Sequence, residues 1–65
     1  MERNYRIEKR HINNINPGDT VLIGGELRTV TSRDIKHDSF MGRTLFGDSY
    51  NLGHLLVTVA VFREN

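Results

Sequence analysis

The chain contains no cysteine and no tryptophan, and it has a single proline among 65 residues. A chain this short buries only about 60% of its unfolded surface, so disulfides, metals or self-association often support domains of this size. The absence of cysteine excludes disulfides. We therefore expect residues 1–65 to form one small domain without a deeply enclosed active site.

Long hydrophobic runs are also absent. The longest apolar stretch, residues 55–62, is strand-sized and contains Thr58, whereas a membrane-spanning helix needs about 20 apolar residues. The opening residues MERNYRIEKR are charged where a secretory signal would have an apolar core. These features predict a cytoplasmic protein with no membrane partner.

Neither sign of charge dominates the chain. Nine Lys and Arg residues stand against eight Asp and Glu residues, which gives a net charge of +1. A domain that neutralises many phosphates is strongly basic, so the overall charge gives no argument for nucleic-acid binding. Basic residues do concentrate in residues 1–11. That segment is either a phosphate-tracking strand or a solvated edge strand whose charges deter edge-to-edge pairing.

Alternating patterns and turn residues predict five or six short antiparallel strands. The expected strands include the alternating segment from Tyr5 to Arg10, a hairpin of residues 20–23 and 27–32 around Gly24 and Gly25, and residues 55–62. Residues 33–42 interrupt this pattern and are expected to form an irregular loop. The fold class is therefore all-β, a small SH3-like barrel or roll.

The loop length of the first hairpin leaves two registers open. A two-residue turn pairs Ile23 with Glu26, whereas a three-residue loop with a bulge pairs Ile23 with Leu27. The second register places one apolar side chain opposite another, and we favour it for that reason.

Residues 55–62 are apolar on both faces of the expected strand. Such a strand lies either in the middle of a closed barrel or at a subunit interface. An SH3-like barrel is the first architecture that this suggests. An open roll completed by a homodimer partner is the second, because self-association would enlarge a small core.

Three other local signals add detail. Pro17 and Gly18 predict a type II turn, and Gly47 with Asp48 predicts the centre of a second tight turn. Ile12 and Ile15 lie among asparagines, in a loop where they are expected to plug one end of the fold.

No arrangement of residues specifies catalysis or a bound cofactor. The three histidines lack the close spacing of zinc sites, and the glycines lack the GxxxxGKS/T order of phosphate loops. We therefore expect a non-enzymatic protein with no metal and no cofactor.

Two surfaces are candidates for binding. Ile35, Phe40 and Met41 lie in the interrupting segment, where they form an adaptable apolar contact for a protein. The other interpretation is that Phe40 and Met41 fold inward as a lid. The alternative is a small barrel that binds nucleic acid with Arg6, Lys9 and Arg10, and with Tyr5 as a stacking surface.

Residues 17–53 carry the strings GDTVL, RTV, DIK, SFMG, TLFGDSY and LG, with a glycine turn after the first. This run resembles small uncharacterised proteins of tailed bacteriophages and prophages, and it covers over half of the chain. The resemblance implies a bacterial cytoplasm during phage or prophage expression, and it implies no activity. Since small phage proteins commonly bind host proteins, it favours a non-enzymatic binding module whose partner is a host or phage protein.

Overall fold

The computed structural model describes residues 4–62, which form six strands and two short 3-10 helices. Within this part of the chain, no helix is long and apolar enough to span a membrane. The 3-10 helices are Ile12–Asn14 and Asn51–Gly53. The strands are β1 (Tyr5–Arg10), β2 (Thr20–Ile23), β3 (Glu26–Thr29), β4 (Ile35–Asp38), β5 (Gly42–Leu45) and β6 (Val57–Phe62).

The strands form two antiparallel sheets. Four of them pair in the order β1-β6-β2-β3, and β4 pairs with β5 in a separate hairpin. No strand pairing joins the two sheets within residues 4–62. The all-β prediction is confirmed, and the arrangement is a small open roll because the sheets do not close into a barrel.

Strand β6 is apolar on both faces because it lies between β1 and β2 in the middle of the sheet. Val57 and Val59 are buried on the face towards the core. Ala60 is buried on the outer face, where it is flanked by Ile7 of β1 and Thr20 of β2. The strand begins at Val57 and not at residue 55 as predicted, so residues 55 and 56 lie outside it.

The hairpin of β2 and β3 has the two-residue turn, with Ile23 opposite Glu26. The favoured bulged register was wrong. Gly24 and Gly25 have φ of 57° and 84°, the left-handed values of a turn whose twist matches that of the flanking strands. The turn therefore sets the register, and the apolar pairing occurs one position away, between Leu22 and Leu27.

Strand β3 is shorter than predicted, since it ends at Thr29. The pairing still continues for one residue beyond it. The Val30 N–H donates to the Asp19 carbonyl at 2.8 Å, and the Val30 carbonyl accepts from the Gly18 N–H at 2.8 Å. The preceding turn is as predicted, with the Asp19 N–H donating to the Asn16 carbonyl at 3.1 Å.

The segment expected to be an irregular loop forms most of the β4–β5 hairpin, so that prediction was wrong. Its register sets Ile35 opposite Leu45 and Asp38 opposite Gly42. Each strand carries one large apolar residue at the end nearest the core, whereas alternation over several residues is what identifies a strand in a sequence. The pairing therefore depends on the packing of Ile35 and Leu45 against the core.

The core lies beneath the inner face of the four-stranded sheet. Ile12 and Ile15 pack there at either end of the first 3-10 helix, and both are buried as predicted. Val30 and Leu45 complete the centre of the cluster, with Phe46 and Tyr50 packed against its rim.

The tight turn after β5 differs from the prediction by one position. The Leu45 N–H donates to the Asp48 carbonyl at 2.9 Å, and the Asp48 N–H donates back to the Leu45 carbonyl at 3.0 Å. The central residues are thus Phe46 and Gly47, with φ of 53° and 82°, rather than Gly47 and Asp48. This turn packs the Phe46 ring under the Arg28 guanidinium, 4.2 Å from the ring centroid.

Candidate protein-binding surface

The β4–β5 hairpin is divided between a buried base and an exposed loop. At the base, Ile35 packs against the core. At the other end, residues 38–42 form what we call the hairpin tip. Within it the Phe40 side chain is 89% exposed and Met41 is 37% exposed. The hairpin thus places one aromatic ring almost entirely in solvent.

Asp38 holds the backbone of the hairpin tip in one conformation. Its Oδ1 accepts hydrogen bonds from the Phe40 N–H at 2.7 Å and the Met41 N–H at 2.9 Å. These bonds stabilise the charged carboxylate and lower the pKa of Asp38, with the Met41 N–H contributing most. The ring of Phe40 is therefore displayed from an ordered turn.

Acid is expected to loosen the hairpin tip. The pKa of Asp38 is lower in the folded chain than its usual 3.8. Its contribution is therefore complete above about pH 4 and is lost as the pH falls through the lower folded-state value. We expect the amide chemical shifts of Phe40 and Met41 to titrate together with a midpoint below 3.8, as measured by NMR between pH 7 and pH 2.

The Asp38→Asn variant is the control for this titration, because its amide oxygen still accepts a hydrogen bond but does not ionise. Its Phe40 and Met41 amides are expected to show no matching transition. A midpoint at or above the ordinary aspartate pKa would contradict the proposed role of Asp38.

Arg43 fixes the hairpin to the body of the domain. Its Nε donates to the Ile12 carbonyl at 3.2 Å, and a terminal guanidinium nitrogen donates to the Ile15 carbonyl. Both acceptors belong to the segment that packs under the four-stranded sheet. The orientation of the hairpin is thus set by charge-assisted hydrogen bonds to the backbone as well as by apolar packing.

The structure brings together two of the three residues predicted for protein contact. Phe40 and Met41 are neighbours at the hairpin tip, and Phe40, 89% exposed, does not fold inward as a lid. Ile35 is at the opposite end of its strand, beside Leu45 and partly buried. Its contribution to the candidate surface is to hold the base of the hairpin.

Ion pairs within the chain compensate the two arginines, but not Lys9, among the basic residues predicted for the nucleic-acid alternative. Glu8 lies between two arginines, 2.8 Å from the Arg6 guanidinium and 3.4 Å from that of Arg10. Arg10 also lies 3.6 Å from the Asp19 carboxylate. The hydrogen bond from Arg6 is the main reason that the pKa of Glu8 is lowered, so this carboxylate keeps its charge among the arginines.

The other two residues of that alternative are also engaged. Lys9 Nζ donates to Thr58 Oγ1 at 2.7 Å, across to strand β6. The Tyr5 ring contacts Phe62 edge-on, with the ring centroids 5.6 Å apart.

A second set of exposed apolar side chains precedes strand β6. Leu52, Leu55 and Leu56 are each more than half exposed. The sequence interpretation missed them because it placed the last two in a strand, where packing was expected on both faces. The signal available was Gly53, two residues before Leu55, which ends the second 3-10 helix.

No cluster of three or more His, Cys, Asp or Glu side chains suited to a metal ion occurs within residues 4–62. The arrangement that the structure does offer is an ordered, solvent-exposed aromatic residue on an anchored hairpin. Comparison with protein-family models, with curated proteins and with solved structures finds no match to this chain.

Proposed function

We propose that the chain is a non-enzymatic binding module that contacts another protein through its hairpin tip. The observation that carries the proposal is Phe40, 89% exposed on a turn whose backbone is held by Asp38. The ring is too exposed to stabilise the fold by burial. Aromatic residues, Phe among them, are enriched in protein interfaces relative to the rest of the protein surface.

The order of the hairpin tip favours binding. A flexible loop loses conformational entropy when it binds, at a cost of about 0.5–1.5 kcal/mol for each immobilised side chain. The two N–H groups bound to Asp38 and the guanidinium bonds of Arg43 already restrict the backbone of the hairpin. Met41 adds an unbranched side chain that adapts to an irregular partner surface.

The partner surface that fits this tip is an apolar pocket about the size of one aromatic ring, bordered by polar groups. Polar and charged side chains precede the ring on β4, where Lys36, His37 and Asp38 are all exposed. Such polar side chains fit the polar rim of an interface, while Phe40 supplies its centre.

Nucleic-acid binding through β1 has less support. The ion pairs of Glu8 and Asp19 leave little uncompensated positive charge from Arg6 and Arg10 for phosphates. A protein that binds the phosphate backbone shows affinity that falls steeply with added salt. Strong salt-dependent binding to single- or double-stranded nucleic acid would therefore overturn the protein-binding proposal.

The phage-like strings give this proposal its context. They favour a bacterial cytoplasm as the setting of the proposed module and a host or phage protein as its partner. This part of the proposal depends on the resemblance of residues 17–53 and on no other observation.

The proposal is tested by a photo-reactive phenylalanine analogue at position 40, expressed in bacteria and irradiated in the cell. We expect crosslinks to one or a few proteins, identified by mass spectrometry. The matched control carries the analogue at Leu55, which is 59% exposed and lies outside the hairpin. Each candidate is then purified, and its affinity is measured for the unmodified chain and for Phe40→Ser.

Phe40→Ser is expected to weaken that affinity by at least about tenfold, as for an interface residue whose loss exceeds 1.4 kcal/mol. Leu55→Ser is expected to leave it unchanged. Thermal unfolding of both variants should match that of the unchanged chain, because neither side chain is buried. Crosslinks from position 55 but not from position 40, or equal affinity for Phe40→Ser, would refute the proposal.

A further inference from the structure

Strand β3 is an open edge of the four-stranded sheet. It pairs with β2 on one side, and all four of its residues are exposed. Within residues 4–62, no other strand pairs with its outer side. An open edge presents backbone N–H and C=O groups to any strand that aligns with it.

The hydrogen-bonding pattern shows which backbone groups point outward. Val30 exchanges its backbone hydrogen bonds with residues on the β2 side. Because the direction alternates along a strand, Glu26 and Arg28 also point towards β2, while Leu27 and Thr29 point away from it. The N–H and C=O groups of Leu27 are therefore on the side of β3 where no strand pairs within residues 4–62.

The side chains of this edge complement a second copy of themselves. Two β3 strands that pair antiparallel about a two-fold axis at Leu27 exchange a hydrogen bond in each direction between the two Leu27 residues. Glu26 of each copy then lies opposite Arg28 of the other. These are non-hydrogen-bonded positions, where side chains approach most closely and opposite charges attract.

The charges involved are free to make these contacts. Neither Glu26 nor Arg28 forms an ion pair within residues 4–62. Arg28 lies over the Phe46 ring, and its charge reaches Asp34, whose carboxylate is already bound to the N–H and hydroxyl of Thr31. At the opposite edge, by contrast, both arginines of β1 already form ion pairs with Glu8.

We propose that β3 is a homodimer interface, in which two copies join their sheets edge to edge about Leu27. The pairing produces one continuous eight-stranded sheet. On its outer face, Leu27 of one copy contacts Leu27 of the other, and each side chain is 40% exposed in the single chain. This inference is independent of the proposed function, because the interface and the hairpin tip share no residue.

The test is sedimentation equilibrium of the full chain over about 10 µM to 1 mM, a range suited to a short interface. We expect the mass to rise with concentration from 7.5 kDa towards twice that value. Glu26→Arg places like charges opposite each other twice and should raise the dissociation constant by at least about tenfold. The double variant Glu26→Arg/Arg28→Glu exchanges the two charges and should restore dimer formation.

Circular dichroism of each variant confirms that it is folded, and the Glu26→Arg single variant leaves the contact between Arg28 and Phe46 in place. Leu27→Pro removes the outward N–H without affecting the pairing to β2, and it should also give a monomer. A mass of 7.5 kDa at every concentration would overturn the proposal. So would a dimer that persists in Glu26→Arg and is lost in Phe62→Asp, because that would place the contact on the outer face of the sheet.

Discussion

Replacing Arg43 with methionine is expected to lower the free energy of unfolding by about 2–3 kcal/mol, since hydrogen bonds from charged donors contribute about 1.5–3 kcal/mol each. Arg43 is half-buried, and it donates to the carbonyls of Ile12 and Ile15. Methionine retains a long apolar side chain but has no donor. The melting temperature, followed by circular dichroism, should fall by roughly 10–20 °C for a domain of this size.

Arg33→Met is the matched control for this experiment. Arg33 is exposed and forms no hydrogen bond or ion pair within residues 4–62, so its replacement should change stability by less than about 0.5 kcal/mol. Arg43→Lys keeps the charge but lacks the forked donors that reach two carbonyls, and it should recover only part of the loss. Equal melting temperatures for Arg43→Met and Arg33→Met would show that the hairpin is held by apolar packing alone.

Replacing Gly53 with alanine is expected to lower the free energy of unfolding by about 2–3 kcal/mol. Gly53 has φ of +89°, and a Cβ atom there would lie 2.7 Å from His11 Nε2. The imidazole ring is not free to move, because its Nδ1 accepts the Asn13 N–H at 3.0 Å and so caps the first 3-10 helix. The variant therefore combines backbone strain with loss of this cap. Urea denaturation measures the total decrease in the free energy of unfolding.

Gly25→Ala separates the two contributions. Gly25 has a similar φ of +84°, but no atom lies within 4 Å of the position its Cβ would take. In this variant the free energy of unfolding should fall only by the cost of a left-handed backbone at alanine, about 1–2 kcal/mol. If both alanine variants lost the same amount, the contact between Gly53 and His11 would carry no energetic weight.

The sequence predicted β1, β2 and most of β6 because their residues alternate or form compact β-branched runs. It also contained the information for the register of the first hairpin. A Gly-Gly pair accepts two successive left-handed residues, which is the requirement of a two-residue turn. The bulged register was favoured on apolar pairing, but turn geometry takes precedence over the match of a single cross-strand pair.

The hairpin of β4 and β5 could not be predicted in this way. The residues IKHD and GRTL alternate weakly, and only Ile35 and Leu45 bury large apolar side chains at its base. The pairing is stabilised by the core and by the bonds of Arg43 to Ile12 and Ile15, more than 25 residues earlier in the chain. No local pattern contains such contacts.

The sequence predicted the candidate site only in part, because the exposure of its residues also depends on contacts between distant parts of the chain. The segment containing Phe40 and Met41 was singled out, but exposed and buried positions were equally consistent with its sequence. Phe40 is exposed because Phe46 and Tyr50 already pack against the core, and because the hairpin carries Phe40 to the end far from Ile35. The basic character of β1 was also visible in the sequence. The ion pairs of Arg6 and Arg10 with Glu8 and Asp19, by contrast, depend on the folded arrangement.

By itself the sequence determined the all-β class, the turns at glycine and proline, and the absence of disulfides. These properties depend on residue type and on neighbours within a few positions. The tertiary structure alone decided that the sheet stays open at β3, that Arg43 anchors the hairpin and that Phe40 faces solvent. Those outcomes depend on which distant surfaces meet and on how much of a small core is already filled.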